Sequence, residues 1–320
     1  MLIIPTKTSH KKPYPAISPE RAELSQASRT ILVTGGGLGI GFAICRAFIA
    51  AAASRIIIVG RRTSVIDDAI AKLADIAKIQ GRATIFLGKQ CDIADLDSSK
   101  ALWDQLAEEG ITVDTLVLNA ATQGGPGPIL ERGTAKVWQD LAMNVQSTIY
   151  FTERFHKQPS NNKKYLVNVS SRVIHKFDGP VRLLPSYSFT KNSAAFFLQQ
   201  VALHVTAEDM QIVSFNPGSI LTDATRRAGF DETSGIDFDD GMKTESSSFL
   251  AASVRILTLC CTAENLPGHF AVWAASPEAK LLHGRFVWAH WDIDELLSGE
   301  TAQKLKTDDN YLRLGVIGLA

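Results

Sequence analysis

The sequence predicts a single doubly wound α/β domain, in which helices cover both faces of a mainly parallel sheet. Short aliphatic runs alternate with helix-like segments along most of the chain, which is typical of βαβ units. The composition, 45% hydrophobic and 21% charged over 320 residues, is that of an ordinary globular protein. Because no internal repeat or linker divides the chain, we expect one domain over residues 29–320.

Seven buried strands are expected, each a short apolar run next to turn residues or a helix. They are placed at 31–33, 55–60, 83–87, 116–118, 165–169, 211–215 and 285–289. Helices are expected between them, where apolar residues recur at intervals of three and four. These helices are placed at 42–49, 64–80, 98–109, between 118 and 165, 186–206 and 245–262.

Two segments do not fit this alternation. Residues 1–28 combine four prolines with Lys, Ser and Thr and show little periodicity, so we expect a flexible N-terminal tail, with a dimer arm as the alternative. In residues 219–246, glycines and charges interrupt any period. A loop of this length in a compact domain is usually functional, so we expect it to cover a substrate.

Charge and cysteine content exclude several classes of function. The 33 basic and 33 acidic residues balance, so no basic field attracts nucleic acid or an anionic membrane. The four cysteines lack CxxC spacing and a nearby histidine, which argues against a metal site or a disulfide scaffold. No uncharged apolar stretch is long enough to span a membrane. We therefore expect a cytoplasmic protein without a metal.

A glycine-rich turn joins the first strand to the first helix. Its sequence, Thr-Gly-Gly-Gly-Leu-Gly-Ile-Gly, occupies residues 34–41. Glycines let the backbone approach a pyrophosphate closely, and the helix N-terminus offers free N–H groups to the phosphates. In this strand–turn–helix setting the turn predicts dinucleotide binding, and a purely structural tight turn is the alternative.

The end of the second strand indicates which dinucleotide binds. An acidic residue about 20 positions beyond the glycine turn would select NAD by bonding its ribose 2′-hydroxyl. Here the sequence reads Gly60-Arg61-Arg62, with no carboxylate. A guanidinium suits a phosphate, so Arg61 and Arg62 predict NADP(H) rather than NAD. The alternative is a solvated arginine pair.

The candidate acid–base group is Tyr187, which lies four positions before Lys191 at the start of a predicted helix. Side chains at i and i+4 share one helix face. A nearby ammonium lowers the pKa of a phenol, so Tyr187 is expected to exchange a proton with substrate. Ser171, with Ser170 as the alternative, is expected to hydrogen-bond the substrate oxygen.

Together, the glycine turn, the Tyr-xxx-Lys pair and the upstream serine resemble the short-chain dehydrogenase/reductase family over about residues 29–292. The resemblance implies a Rossmann-like fold and a catalytic set of Asn144, Ser171, Tyr187 and Lys191. In the family, the asparagine stabilises a local helix distortion and holds a water next to the lysine. The implied cofactor contacts are Gly35, Gly39, Ile40, Gly41, Arg61, Arg62, Asp92, Ile93, Asn119, Tyr187, Lys191, Pro217, Gly218, Ile220 and Thr222.

The sequence departs from the family pattern in two places. The fourth strand is followed by Asn119-Ala120-Ala121, where the family usually has Asn-Asn-Ala-Gly. The segment between Ser171 and Tyr187 is longer than usual, which predicts a pocket wall particular to this protein. We expect His175, Phe177 and Leu184 to form that wall.

The resemblance implies an NADP(H)-dependent oxidoreductase that interconverts a ketone and a secondary alcohol on a small organic substrate. The C-terminal stretch 274–289 resembles fungal members of the family, which suggests a secondary-metabolite substrate. A homodimer or homotetramer is implied, paired through the helices that carry Asn144 and Tyr187. The alternatives are non-redox chemistry (elimination or cyclisation) in the same family, and an NADP-binding sensor or scaffold without turnover.

Overall fold

Seven parallel strands form one sheet in the computed structural model, which describes residues 5–160, 162–176, 182–222, 226 and 265–316. The strands are β1 (Thr30–Thr34), β2 (Arg55–Gly60), β3 (Ile85–Gln90), β4 (Thr115–Leu118), β5 (Lys164–Val169), β6 (Met210–Asn216) and β7 (Arg285–Trp288). Their order in the sheet is β3-β2-β1-β4-β5-β6-β7. The first strand, β1, thus lies near the middle of the sheet. Strands β2 and β3 are added on one side of it and β4 to β7 on the other, and folds of this kind open a binding crevice where the strand order reverses, between β1 and β4.

The helices of the described residues follow the strands in the expected alternation. They are α1 (Gly39–Ala50), α2 (Thr63–Ile79), α3 (Leu96–Glu108), α4 (Ile129–Arg132), α5 (Thr134–Leu141), α6 (Ser147–Lys157), α7 (Pro185–Val201), α8 (Asn265–Ala274), α9 (Ile293–Leu296) and α10 (Gly299–Thr307). A π-helical turn (Ala142–Gln146) joins α5 to α6. Short 3₁₀ turns occur at Pro15–Ile17, Ala22–Leu24, Arg172–Ile174 and Pro277–Leu282.

Successive residues of the central strands face opposite sides of the sheet, because side chains alternate along a strand. Ile31 and Val33 of β1 belong to a core shared with α1, α2 and α8, whereas Leu32 between them belongs to a core shared with α3, α6 and α7. All three side chains are fully buried. The predicted doubly wound α/β fold is therefore confirmed.

The segment between β4 and β5 departs from the expected continuous helix. Gly133, at φ 76°, separates α4 from α5, and the π-helical turn separates α5 from α6. The third strand lies at 85–90 rather than at 83–87. The expected helix at 245–262 lies outside the described residues.

The N-terminal segment also differs from expectation. Residues 5–28 were expected to form a flexible tail, yet Ile17 and Leu24 are fully buried in the core. Arg21 pairs with Glu278 at 2.7 Å, and the Tyr14 hydroxyl donates to the carbonyl oxygen of Trp291 at 2.9 Å. The few apolar residues of this segment are too widely spaced to show a period, and their partners lie at the other end of the chain. Residues 1–4 lie outside the described part.

Within the described ranges, no helix is long and apolar enough to cross a bilayer. The same residues contain no group of three or more His, Cys, Asp or Glu side chains arranged to hold a metal ion.

Candidate active site

A cavity of about 520 Å³ opens at the carboxyl ends of the strands. It contains most of the residues that the sequence predicts for cofactor and catalysis. On its wall lie Gly35, Gly39, Ile40, Gly41, Arg61, Arg62, Ile93, Asn119, Ser171, Tyr187, Lys191, Pro217, Gly218, Ile220 and Thr222. Asp92 and Asn144 are the two predicted residues that do not line it.

The glycine turn between β1 and α1 needs glycine at specific positions. Gly35 and Gly39 have φ values of 68° and 52°, a region that L-residues rarely adopt. A Cβ at Gly41 would lie 2.2 Å from the carbonyl oxygen of Gly35, so a side chain there would break the turn. The first N–H groups of α1, which have no partner within the helix, are thereby brought to the cavity.

Thr34 and Asn119 connect the glycine turn to β4. The Thr34 hydroxyl oxygen accepts hydrogen bonds from the backbone N–H groups of Asn119 (2.9 Å) and Ala120 (3.1 Å). The Asn119 amide in turn donates to the carbonyl oxygen of Thr34 at 3.0 Å. These bonds hold together the two strands between which the chain reverses direction. Asn119 therefore also has a structural role, in addition to the cofactor contact that the sequence predicts.

Arg61 and Arg62 follow β2 directly and lie on the cavity wall with exposed side chains. Neither guanidinium forms a hydrogen bond or an ion pair with any residue that the structure describes. No Asp or Glu occurs among the described residues that line the cavity. This end of the cavity is therefore suited to an anionic group, such as a phosphate, which can accept two hydrogen bonds from one guanidinium.

Asp92, an expected cofactor contact, does not line the cavity, and its contact with a cofactor stays a prediction. Its carboxylate accepts a hydrogen bond from the backbone N–H of Ala94 at 3.1 Å and stabilises the turn after β3. Its neighbour Ile93 lies on the cavity wall and is almost fully buried.

Tyr187 and Lys191 lie on one face of α7, one helical turn apart. Pro185 occupies the first turn of this helix, where its fixed φ is compatible with helix geometry. The Lys191 Nζ atom donates to the carbonyl oxygen of Val169, at the end of β5, at 2.8 Å. It lies 6.0 Å from the centroid of the Tyr187 ring. The lysine thus ties α7 to the strand that precedes Ser171.

Burial sets the pKa values of this pair. It raises the pKa of Tyr187 to about 12, although a hydrogen bond with Ser171 opposes the rise. It lowers the pKa of Lys191 to about 8. This differs from the expectation that the ammonium would lower the pKa of the phenol. The physical reason is desolvation, which disfavours the charged form of both groups.

Of the two candidate serines, the geometry favours Ser171. Its hydroxyl contacts Tyr187 and also accepts a hydrogen bond from the N–H of Val173 at 3.4 Å. The Ser170 hydroxyl is buried without a hydrogen-bond partner among the described residues, although Ser170 also lies on the cavity wall.

Asn144 occupies the middle of the π-helical turn Ala142–Gln146. Its amide donates to the carbonyl oxygen of Thr122 and to the hydroxyl of Thr190, both at 2.8 Å, and its Oδ1 accepts from the N–H of Thr122 at 2.9 Å. A second, small cavity of about 10 Å³ lies between Asn144 and Lys191. This volume is at the lower limit for one ordered water.

A buried polar cluster that sequence reasoning missed fixes the start of α7. The carboxylate of Asp140 accepts hydrogen bonds from Ser186, the residue before Tyr187, at 2.5 Å and from Arg132 at 2.9 Å. Asp140 is almost fully buried. No motif signals this contact in the sequence, because its members are separated by up to 54 positions.

Only some of the described residues between Ser171 and Tyr187 line the cavity. Leu184 lies on its wall, whereas the His175 ring packs on Phe286 with centroids 5.5 Å apart and lies 3.3 Å from the Trp288 indole nitrogen. Phe177 lies outside the described residues. Arg172 also lies on the wall. In the sequence, the only signal for this contact is a basic residue directly after Ser171.

Of the expected substrate loop, 219–246, the structure describes residues 219–222 and 226. Ser219, Ile220 and Thr222 lie on the cavity wall. The rest of the loop lies outside the described part of the chain.

Comparison with known proteins identifies the family of this chain. Residues 29–233 match the family model for short chain dehydrogenases. A short chain dehydrogenase/reductase from Claviceps purpurea is 30% identical over 318 residues, covering 98% of this chain and 94% of that protein. The short chain dehydrogenase/reductase AacuD from Aspergillus aculeatus is 29% identical over 313 residues, covering 98% and 96%.

Solved structures share the fold at low sequence identity. The Pseudomonas aeruginosa protein RhlG, solved as an NADP complex, superposes with a TM-score of 0.66 at 19% identity, covering 84% of this chain and 97% of that chain. A 7α-hydroxysteroid dehydrogenase, solved with NADH, gives a TM-score of 0.61 at 19% identity, covering 87% and 97%. The match to the family model and the near full-length relatives establish that this chain belongs to the short-chain dehydrogenase/reductase family of oxidoreductases.

Proposed function

We propose that this protein is an NADP(H)-dependent oxidoreductase that interconverts a ketone and a secondary alcohol on a small organic substrate. The observation that carries the proposal is that one cavity contains both the glycine turn and the Ser171, Tyr187 and Lys191 side chains. The fungal origin of its relatives supports the further proposal that the substrate is a secondary metabolite.

The cofactor supplies the hydride when it is bound, and the residues of this chain supply the proton. With its pKa raised to about 12, Tyr187 stays protonated at neutral pH. In this form it can act as a general acid towards a carbonyl oxygen, which is the role that reduction requires. Ser171, whose hydroxyl contacts Tyr187, would hydrogen-bond the same oxygen as negative charge develops on it.

Lys191 and Asn144 would return the proton to Tyr187. With its pKa lowered to about 8, the Lys191 ammonium exchanges its proton readily near neutral pH. The small cavity between Lys191 and Asn144 provides a site for a water that would connect the lysine to other polar groups. Asn144 is held rigidly for this task by its three hydrogen bonds to Thr122 and Thr190.

The preference for NADP(H) rests on Arg61 and Arg62. Both lie on the cavity wall after β2, and the lining contains no carboxylate among the described residues. The structural neighbours do not decide the preference, because RhlG was solved with NADP and the 7α-hydroxysteroid dehydrogenase with NADH. Guanidinium groups that lack a protein partner would bind the 2′-phosphate through charge-assisted hydrogen bonds.

We also propose a homodimer or homotetramer. Helices α5, α6 and α7 expose large apolar side chains, and α6 and α7 cover the same face of the sheet. These side chains are Trp138 (66% exposed), Ile149 (40%), Phe189 (46%) and Phe196 (47%). Exposed large apolar side chains of this kind, three of them aromatic, are typical of a protein–protein contact.

The substitution Tyr187→Phe tests the catalytic assignment. It removes the acid while keeping the ring, so we expect kcat for NADPH-dependent reduction of a ketone panel to fall by about 10²- to 10⁴-fold. NADPH binding, measured by fluorescence titration, should change little. The matched control is Tyr150→Phe on α6, which leaves the cavity intact. Full activity in Tyr187→Phe would contradict the assignment, and product formation without NADPH consumption would favour the non-redox alternative.

The substitution Arg61→Gln tests the choice of cofactor. Loss of a charge-assisted hydrogen bond to the 2′-phosphate should raise the Kd for NADPH by about 10- to 100-fold. The Kd for NADH, which lacks that phosphate, should stay unchanged. Lys72→Gln on α2, an exposed position, serves as the control. An equal effect on both cofactors, or no effect on either, would refute the role of Arg61.

The pKa of Lys191 predicts a pH-dependent difference in stability. Because the pKa in the folded protein, about 8, lies below the usual 10.5, the unfolded chain binds the extra proton between these values. The destabilisation that Lys191 causes is therefore present below pH 8 and is relieved as the pH rises towards 10.5. Urea unfolding of the wild type and Lys191→Met measures this effect.

From pH 7.5 to 9.5 the free energy of unfolding of the wild type should gain about 1–2 kcal/mol relative to Lys191→Met. The difference in free energy of unfolding between the wild type and Lys72→Met, a substitution at an exposed site, should not change with pH. If the difference between wild type and Lys191→Met is independent of pH, the lowered pKa is wrong.

Light scattering tests the proposed assembly. We expect the mass of a dimer or a tetramer for the wild type, and a smaller species for Phe196→Asp, which places a charge in the exposed apolar group on α7. Ile79→Asp, on α2 at the opposite face of the sheet, should keep the wild-type mass. A monomeric wild type would contradict the proposal.

A further inference from the structure

We infer that the substrate carries a carboxylate and that Arg172 is the specificity-determining residue that binds it. The inference deepens the proposed function and rests on it, because it takes the end of the cavity next to Tyr187 as the substrate site.

Hydrogen bonds to its own N–H and carbonyl groups fix the position of the Arg172 backbone. It begins the 3₁₀ turn Arg172–Ile174, directly after Ser171. Its N–H donates to the Oδ1 atom of Asn216, at the end of β6, at 3.0 Å. Its carbonyl oxygen accepts from the N–H of Lys176, also at 3.0 Å. The residue is thus held next to the candidate catalytic serine, and it lies on the cavity wall.

The Arg172 side chain has no hydrogen bond, ion pair or aromatic contact with any residue that the structure describes. Three other arginines that are at least partly buried have such partners, whereas the Nε atoms of Arg55 and Arg313 have none among the described residues. Arg132 pairs with Asp140, Arg154 pairs with Asp104, and Arg285 donates to the carbonyl oxygen of Leu305. A partly buried cation is costly without a counter-charge. A bound anion would supply one.

The charges around Arg172 also favour an anion. No carboxylate occurs among the described residues of the cavity wall. Lys176 adds a second positive charge nearby, with its Nζ atom 5.5 Å from the Trp288 ring. Burial and this charge both lower the pKa of His175. Asp140, the buried carboxylate next to α7, is already paired with Arg132.

The topology separates Arg172 from the predicted phosphate contacts. The glycine turn follows β1 and Arg61 follows β2, whereas Arg172 follows β5. Two strand spacings separate β1 from β5 and three separate β2 from β5, which amounts to about 10 and 14 Å. Arg172 therefore lies at the Tyr187 end of the cavity, where the ketone is expected.

The remaining wall at this end defines the rest of the substrate. Val173, Leu184 and Met143 contribute apolar surface, while the planar guanidinium matches a carboxylate in a two-point contact. The substrate class is therefore a keto acid, or the corresponding hydroxy acid, with an apolar body.

Ligand titrations of the NADP⁺-loaded protein test this inference. The probes are three aryl keto acids of increasing length, beginning with 4-acetylbenzoate, each paired with its neutral methyl ester. We expect the wild type to bind at least one acid about 10- to 100-fold more tightly than its ester, as measured by calorimetry. Arg172→Gln should lose this preference and leave the affinity for the ester within about threefold. Arg172→Lys, which keeps the charge but not the two-point geometry, should lie between them.

Lys176→Gln is the matched control, because it removes a neighbouring charge from the same turn. Equal binding of acids and esters by the wild type, no binding of any acid, or an unchanged preference in Arg172→Gln would overturn the inference. An equal loss in Lys176→Gln would do the same, because it would indicate a general field rather than a contact. A large loss of NADPH affinity in Arg172→Gln would assign the residue to the cofactor instead.

The same samples separate this inference from the proposed function. An Arg172-dependent preference for acids without NADPH-dependent reduction of any of these keto compounds would reject the proposed function alone. NADPH-dependent ketone reduction without a preference for acids would reject the inference alone.

Discussion

The parallel arrangement of all seven strands is the constraint on which the site depends. It brings the carboxyl end of every strand to the same edge of the sheet. The glycine turn follows β1, Arg61 follows β2, Ser171 follows β5 and Pro217 follows β6. Residues far apart in the chain therefore meet in one cavity without any direct signal between them. The bonds between Thr34 and Asn119 hold the two strands at which the direction reverses.

The buried ammonium of Lys191 lowers the stability of the folded protein, and other interactions have to offset this effect. The lowered pKa of Lys191, about 8, corresponds to a destabilisation of about 3 kcal/mol near neutral pH. Part of the compensation is local, since the ammonium donates to the carbonyl oxygen of Val169. The rest comes from the packing of α7, whose first turn is anchored by the bond between Ser186 and Asp140. A buried acid and a buried base on one helix are useful for proton transfer and unfavourable for stability.

The sequence predicts the strands, the glycine turn and the grouping of Ser171, Tyr187 and Lys191, because these features depend on local patterns and on the rule for parallel strand ends. It does not predict what depends on distant partners. The packing of the Pro15–Ile17 turn is one example, since it contacts α8 and α9, which lie in the C-terminal part of the chain. The direction of the Tyr187 pKa shift is another, because it depends on burial rather than on the nearby lysine. The turn made by Asp92 and the partnerless guanidinium of Arg172 likewise become visible only in three dimensions.

A crystal structure of the protein with NADP⁺ is the decisive measurement, because it shows which residues of the cavity contact each end of the cofactor. We expect the 2′-phosphate to contact Arg61 or Arg62 and the nicotinamide ring to lie beside Tyr187 and Ser171. A cofactor bound in the opposite direction, or with its nicotinamide away from Tyr187, would contradict this expectation.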